Sequence, residues 1–147
     1  MQYLDDDLYD LQVRYPMAIY SHDTAMMLHE LTTFSPFVYH LTFPKDCFLE
    51  NPKEQYIEPH YVDEIEIHEK YIQTMDSWEM KPIRVTTLEK TIVDNLRYEK
   101  LMTFFIKEMI SNYTNREDKN IKRLVDYAKK YKVLDVVERE ILPFVLK

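Results

Sequence analysis

The chain has 147 residues, of which 46% are apolar and 31% charged, and its formal net charge is −7. This length and composition predict one globular domain whose core needs neither a disulfide nor a metal to form. The sequence has no apolar stretch of about 18 residues and no basic-then-apolar leader, so we expect no membrane span and no signal peptide. The lone Cys47 cannot form an internal disulfide, which fits a reducing cytoplasm.

Glycine is absent from the chain. Phosphate-binding loops, dinucleotide-binding turns and nucleophile elbows all need Gly where the backbone takes a positive φ or closely approaches a ligand. The sequence therefore excludes these classes of site. We expect the turns to be built from Pro, Asn and Asp instead, as at residues 43–46 and 50–52.

The first predicted element is a helix over residues 4–14, which Tyr15 and Pro16 end. One side of this helix would be buried and carries the apolar residues Leu4, Leu8 and Leu11. The other side would face water and carries the acidic residues Asp5, Asp6, Asp7 and Asp10.

Short apolar runs and alternation of bulky apolar with more polar side chains predict strands over residues 17–20, 37–43, 56–62, 72–78 and 83–87. Pro59 suits a strand at a sheet edge or at a bulge, because it cannot donate to a neighbouring strand. The last two strands read as a hairpin around residues 79–82. Residues 63–70 fit either a strand or a helical turn, and the sequence leaves both open.

Two helices follow strands and begin with capping signals. Ser21 can act as the N-cap of a helix over residues 21–31, with Asp23 favourably placed in its first turn. Thr86 and Glu89 have the spacing of a capping box, which predicts a second helix ending near Arg97.

The C-terminal third predicts three helices joined by short connections at residues 112–118 and 131–134. Their apolar stripes consist of Met102, Phe105, Ile106, Met109, Ile110 and Tyr113; Ile121, Leu124, Val125 and Ala128; and Val133, Val136, Val137 and Ile141. We interpret these stripes as core packing.

The order of elements predicts an α+β fold, with a small mixed or antiparallel sheet packed with helices and then a C-terminal helical group. We expect a single domain over residues 1–147. Its α/β part would span residues 1–100 and its helical part residues 101–147.

Two groups of residues carry the types used in catalysis. Ser21, His22 and Asp23 are consecutive at a helix start and point about 100 degrees apart, so they cannot meet as a hydrolytic triad. Glu89 and Asp94 diverge by about 140 degrees on their helix, so we expect capping and salt bridging from them instead of shared acid/base work. We therefore expect no catalytic residues.

His22 and His29 are seven residues apart and share a helix face, but no third ligand lies at a fitting offset. His29 and Glu30 match the beginning of the zinc-protease helix motif His-Glu-x-x-His, but Thr33 stands where that motif requires its second His. We expect structural roles for both histidines, with contact to a partner as the alternative. Neither a metal nor a cofactor is expected.

Charge is unevenly distributed along the chain. Residues 46–79 contain 10 acidic and 2 basic side chains, whereas residues 116–132 contain 7 basic and 3 acidic ones. The residues that could contact the phosphates of a nucleic acid are Arg116, Lys119, Lys122, Arg123 and Lys130. The alternative is a solvated helix face with ion pairs four residues apart, such as Asp126 with Lys130.

Three segments together resemble a known family. Residues 11–25, with Leu28 and His29 after them, resemble the start of the C-terminal module of AbiEi-family antitoxins from bacterial toxin-antitoxin and phage abortive-infection systems. Residues 85–94 are similar to the strand-to-helix signature of that module, and residues 118–130 to its terminal helices. The matched signature positions are Ser21, His22, Thr24, Leu28, His29, Glu89, Thr91 and Asp94, with a structural or partner-contact role.

The resemblance implies a non-enzymatic antitoxin module that counteracts a nucleotidyltransferase-like toxin, either by binding it or by opposing its effect. In the family, promoter DNA is bound by an N-terminal winged helix, and no helix-turn-helix pair fits ahead of Tyr15, so we do not expect promoter binding. The family often has Gly after the Leu28–His29 pair and in the hairpin before the Glu89 helix. Glu30, Met80 and Lys81 occupy those regions here, so the turn geometry can differ.

Two other functions remain open from the sequence. The basic C-terminal helices could serve a nucleic-acid-binding transcriptional regulator. The chain could also be a truncated antitoxin remnant.

Overall fold

The computed structural model describes residues 6–98, 101 and 103–145. These residues form two compact units. The first comprises residues 6–21 and 37–87, and the second comprises residues 22–36 and 88–145. Each unit is therefore assembled from segments that are distant in the sequence.

The first unit contains a five-stranded sheet formed by β1 (Ile19–Tyr20), β2 (Tyr39–Pro44), β3 (Ile57–Val62), β4 (Ile72–Asp76) and β5 (Pro82–Thr86). Its strand order is β3-β2-β1-β5-β4. The β1–β2 and β4–β5 pairs are antiparallel, whereas β1–β5 and β2–β3 are parallel. The predicted α+β class with a mixed sheet is confirmed.

Strand β3 lies at one edge of the sheet, as its proline predicted. Pro59 is in register with Leu41 of β2. A proline, which has no N–H, is tolerated here because an edge strand has a neighbour on one side only. Residues 63–70, which fitted two structures, form short 3₁₀ turns at Glu64–Glu66 and within Glu69–Tyr71.

Helix α1 (Asp7–Arg14) packs its apolar side into the first unit, where Leu8 and Leu11 are buried. The hydroxyl of Tyr20 donates to the Leu8 carbonyl oxygen at 2.7 Å. The predicted helix positions Leu4 and Asp5 lie outside the described residues. Asp6 was expected in water, but it is buried because it caps the helix and accepts a hydrogen bond from the Tyr9 amide.

The second unit contains α2 (His22–Leu28), α3 (Leu88–Arg97), α4 (Thr103–Thr114), α5 (Ile121–Lys130), α6 (Leu134–Glu140) and α7 (Leu142–Val145). Helix α3 is buried from Leu88 through Asn95, including its polar side chains. Leu124 and Ala128 of α5 are fully buried, as their helical spacing predicted.

Two predictions for the C-terminal helices need correction. The stripe on α4 was expected to be core, but only Met109 and Tyr113 are buried, and the other described stripe residues are half-buried. Only one side of this largely apolar helix packs into the unit. Met102 lies outside the described residues. The prediction of three helices is also corrected: the last predicted helix corresponds to α6, and a further short helix, α7, follows it and contains Pro143.

Two helices end in a turn that normally requires Gly. After α2, the Leu31 amide donates to the Met26 carbonyl at 2.8 Å and Glu30 has a φ of 60°. After α5, Lys132 takes the same position with a φ of 64°. Both are Schellman motifs, in which the left-handed residue is usually Gly because a Cβ costs about 1–2 kcal/mol there.

The β4–β5 hairpin closes with a third turn of this kind. The Ser77 amide donates to the Lys81 carbonyl at 2.8 Å, and the Met80 amide donates to the Ser77 carbonyl at 3.0 Å. Met80, with a φ of 63°, occupies the left-handed bulge position where such hairpins favour Gly. The expectation that Pro, Asn and Asp build the turns is therefore too narrow, because Glu, Lys and Met also adopt left-handed backbone here.

Candidate functional site

Within the first signature segment the chain passes from the first unit to the second, and the segment makes separate contacts inside each unit. In the first unit, Ser21 is buried and accepts a hydrogen bond from the Thr42 hydroxyl at 2.7 Å. In the second, the His22 ring packs edge-to-face on Tyr98, with 5.2 Å between ring centroids. Ser21 and His22 thus each make one of these contacts, within different units.

Helix α2 and the residues after it carry the rest of this signature. Thr24 is fully buried in α2, and Leu28 is half-buried at its end. His29 is also buried, and its carbonyl oxygen accepts a hydrogen bond from Nη1 of Arg116. This contact is made by the His29 backbone and not by its imidazole ring.

The two signature segments meet in the second unit through Asn95. Its side-chain amide donates to the His22 carbonyl at 3.3 Å and to the Thr91 carbonyl at 2.9 Å. Thr91 is completely buried one turn earlier on α3. Helices α2 and α3, on which these two segments lie, therefore pack against each other.

Glu89 is buried, and its carboxylate faces the C-terminal helices. Oε2 accepts hydrogen bonds from the Tyr113 hydroxyl and from the Asn120 amide, both at 3.0 Å, and Oε1 lies 3.7 Å from Arg123. Helix α3 begins at Leu88, one residue later than the Thr86 capping box predicted. The expected box is corrected accordingly: Glu89 joins three helices instead of capping its own. Burial, together with the Glu89 charge, raises the pKa of Tyr113.

Asp94 forms the salt bridges that its position predicted. Its Oδ1 lies 2.5 Å from Lys90 Nζ, with both side chains buried, and 3.5 Å from Arg97 Nη1. The ring of Tyr131 lies 5.1 Å from Lys90 Nζ and 4.3 Å from the Arg97 guanidinium carbon. The two cations are thus stabilised in two ways, by cation–π contact with Tyr131 and by ion pairing with the Asp94 carboxylate.

Two of the five basic candidates hold together the connection between α4 and α5. Arg116 binds Asp118 through two hydrogen bonds of 2.8 and 2.9 Å, which raise the pKa of Arg116 and lower that of Asp118. Nζ of Lys119 donates to the Thr114 carbonyl at 3.1 Å and to the Arg116 carbonyl. Both cations therefore satisfy carbonyls and a carboxylate of the chain itself.

The other three basic candidates lie on α5 and are exposed. Asp126 pairs with Lys122 at 3.0 Å, four residues before it in α5, and not with Lys130, four residues after it. Arg123 approaches Glu89, as described above, and Lys130 Nζ lies 5.9 Å from the Tyr131 ring centroid. The five candidates thus do not form one uncommitted basic surface.

A pair of histidines in the first unit was missed by the sequence reasoning. Nδ1 of His40 and Nε2 of His60 are 3.0 Å apart, and the rings stack with 5.2 Å between centroids. Burial lowers the pKa of His40 to about 4. The alternating pattern placed His40 on the more polar face of its strand. The parallel register that brings His60 beside it cannot be predicted from the residues near either histidine.

A second missed feature is the attachment of the β4–β5 hairpin to the start of α1. Oδ2 of Asp6 accepts hydrogen bonds from the Ser77 hydroxyl at 2.5 Å and from the Glu79 amide at 3.2 Å. Burial works to raise the pKa of Asp6, but these hydrogen bonds and the one from Tyr9 outweigh it and lower the pKa. Asp6 is therefore held as a charged cap that fixes the hairpin.

A groove of about 340 Å³ runs along α4, with Ile106, Ile110 and Phe144 among its lining residues and Lys107 and Glu140 at its rim. No signature residue lines it. Among the described residues, no three His, Cys, Asp or Glu side chains are grouped as metal ligands would be.

Within the described ranges, no helix combines the length and apolar character needed to cross a membrane. Comparison with protein-family models and with curated proteins finds no match to this chain.

Proposed function

We propose that this chain is an antitoxin module that counteracts a nucleotidyltransferase-like toxin encoded beside it, in a bacterial abortive-infection system. The proposal starts from the resemblance of its three segments to the C-terminal module of AbiEi-family antitoxins. It assigns no catalytic step to the chain.

The observation that carries the proposal is the backbone at Glu30 and Met80. These residues stand in the two regions where the family often has Gly, and their φ angles of 60° and 63° are those that Gly favours. A turn that requires left-handed backbone explains why a relative would place Gly there. The packing of α2 on α3 through Asn95 adds support, because the contact between the two helices gives one structural reason for both signature segments to occur in the same chain.

The first unit carries many exposed acidic side chains, which suit a toxin that handles nucleotides or RNA. Its exposed acidic side chains within residues 46–79 are Asp46, Glu50, Glu54, Asp63, Glu64, Glu69, Asp76 and Glu79. A protein that binds polyphosphate needs a basic surface, and an acidic partner complements such a surface.

The alternative of a nucleic-acid-binding regulator has weaker support. Arg116 and Lys119 are engaged within the chain, and a net charge of −7 opposes nonspecific binding to DNA. Lys122, Arg123 and Lys130 remain exposed, so this function has three cations on α5 in its favour.

The proposal is tested by expressing the neighbouring toxin gene in a bacterial host with and without this chain. We expect the chain to restore growth, and Val93→Asp, which puts a charge at a fully buried position, to fail. An unrelated acidic protein at equal abundance controls for charge alone. Absence of rescue by the folded, abundant chain would overturn the proposal, and a shift of its own upstream DNA at low salt would then favour the regulator.

A further inference from the structure

The β4–β5 hairpin ends in two large apolar side chains that are mostly exposed to solvent. Residues 77–81 form the hairpin tip, in which Trp78 is 57% exposed and Met80 is 73% exposed. Single exposed apolar residues are ordinary on protein surfaces. Two such residues in one five-residue turn, one of them the only Trp of the chain, are a different case.

The hairpin tip is braced by several hydrogen bonds. The turn closes through the Ser77 and Met80 amides, and the Lys81 amide donates to the Ser77 hydroxyl at 3.1 Å. Asp6 then binds Ser77 and Glu79 from the start of α1. A binding surface that is already ordered loses little conformational entropy when it binds, so this rigidity favours recognition.

Met80 is not the residue that the backbone prefers at its position. Its φ of 63° lies in the left-handed region, where Gly is more stable, and its side chain is mostly in water. Folding alone therefore gives no reason for a large apolar side chain there. Contact with a second molecule does, since Met and Trp are enriched where proteins bind one another.

The surroundings of the hairpin tip indicate the charge of that second molecule. Asp76 and Glu79 are exposed in the hairpin, and Asp7 and Asp10 are exposed in the first turn of α1, which Asp6 attaches to the tip. Lys81 is the basic side chain of the tip, and its Nζ lies 4.9 Å from the Tyr9 ring centroid. An apolar anchor with an acidic border fits an apolar cleft with a basic border.

We infer that the hairpin tip is the docking element of this chain, inserting Trp78 and Met80 into an apolar cleft on a basic protein surface. The inference rests on the proposed function, which makes the toxin the partner. Trp78 supplies the aromatic anchor, Met80 fills the irregular space beside it, and the four acidic residues set orientation and association rate.

The test measures binding of the purified full-length chain to the purified neighbouring toxin by calorimetry, alongside growth rescue. We expect Trp78→Ala to weaken binding at least 30-fold, as roughly expected for a hot-spot residue. Met80→Gly is the most informative variant, because it removes the side chain while suiting the backbone. It should weaken binding at least about 5-fold and leave the chain at least as stable as before.

Two further variants define the surface. Phe37→Ala removes an aromatic side chain that is 92% exposed elsewhere and should bind as the unmodified chain does. Glu79→Lys should weaken binding about 10-fold at low salt, with a smaller effect at high salt. Circular dichroism establishes that each variant is folded.

The outcomes separate the inference from the proposed function. Rescue without measurable binding, or with binding that Trp78→Ala and Met80→Gly leave unchanged, would overturn the docking inference while the antitoxin function stands. Binding lost in both variants with Phe37→Ala unaffected supports it. Failure of the unmodified chain to rescue growth counts against the proposed function, whereas the binding measurement still decides the docking inference.

Discussion

The phenol of Tyr113 donates a hydrogen bond to Oε2 of Glu89 at 3.0 Å, and both side chains are buried. The same oxygen accepts the Asn120 amide, which lies at the N-terminus of α5. One carboxylate thus connects the beginning of α3 to α4 and to the positive end of α5. The Glu89 signature position is therefore central to the second unit.

Tyr113→Phe should lower the free energy of unfolding by about 1.5–3 kcal/mol, because it removes a donor from a buried charged acceptor without changing the packing. Urea denaturation measures the change. The matched control is Tyr56→Phe, which alters a tyrosine that is 66% exposed and should shift stability by less than about 0.5 kcal/mol. Equal midpoints for the two variants would contradict this role for Glu89.

The Lys90–Asp94 pair should be strongly coupled. Replacing either residue alone leaves a buried charge without its 2.5 Å partner, which typically costs about 3–5 kcal/mol, whereas Lys90→Met with Asp94→Leu removes both charges. We expect the double variant to be more stable than the sum of the single changes predicts. A double-mutant cycle by urea denaturation gives the coupling energy.

The exposed Lys122–Asp126 pair is the control for that cycle. It has the same spacing along a helix and an N–O distance of 3.0 Å, but its side chains are 87% and 55% exposed. Its coupling should be only about 0.3–0.5 kcal/mol. If the two cycles gave similar energies, burial would not be what makes the Lys90 pair strong.

Local patterns predicted the parts of the fold that local physics determines. The alternation over residues 37–43, the proline of β3 and the helical spacing of Leu124 and Ala128 each led to the element that the structure contains. Strand order has no such signal. Pairing of Tyr20 with Val85 joins positions 65 residues apart, and the intervening chain says nothing about it.

The candidate site follows the same division. The salt bridge of Asp94 with Lys90 lies within one helix and was predictable from spacing. The partners of Glu89 are 24 and 31 residues away, and a capping box was the best local explanation for its position. Met80 was read as a departure from Gly, since only the backbone φ reveals that the left-handed turn is kept.

Glu30→Gly should stabilise the chain relative to Glu30→Ala by about 1 kcal/mol, because Glu30 has a φ of 60° and Ala carries a Cβ that clashes in left-handed backbone. Both variants remove the carboxylate, so their difference reports the backbone alone. At Asp126, in the middle of α5, the Ala variant should instead be more stable than the Gly variant by a similar amount. The same order at both positions, measured by thermal denaturation, would contradict the Schellman turn.

The buried His40 should make the chain less stable as pH falls. Its pKa is about 4 in the folded protein, against 6.5 for an ordinary histidine in the unfolded chain, so unfolding takes up a proton between these values. The contribution of neutral His40 is complete above pH 6.5 and is lost on the way to pH 4, at up to about 1.4 kcal/mol per pH unit. Urea denaturation at pH 7, 6 and 5 measures this slope.

His40→Asn should remove this slope, whereas His68→Asn, which alters an exposed histidine, should keep it. Burial raises the pKa of Asp23, and that carboxylate acts in the opposite direction, but it is common to all three proteins and cancels in their difference. The lowered pKa values of Asp6, Glu108 and Asp118 place most of their effects below about pH 5, and these effects are also common to all three proteins. A slope unchanged by His40→Asn would mean that another group takes up the proton, and the burial of His40 would then contribute nothing to the acid sensitivity of the fold.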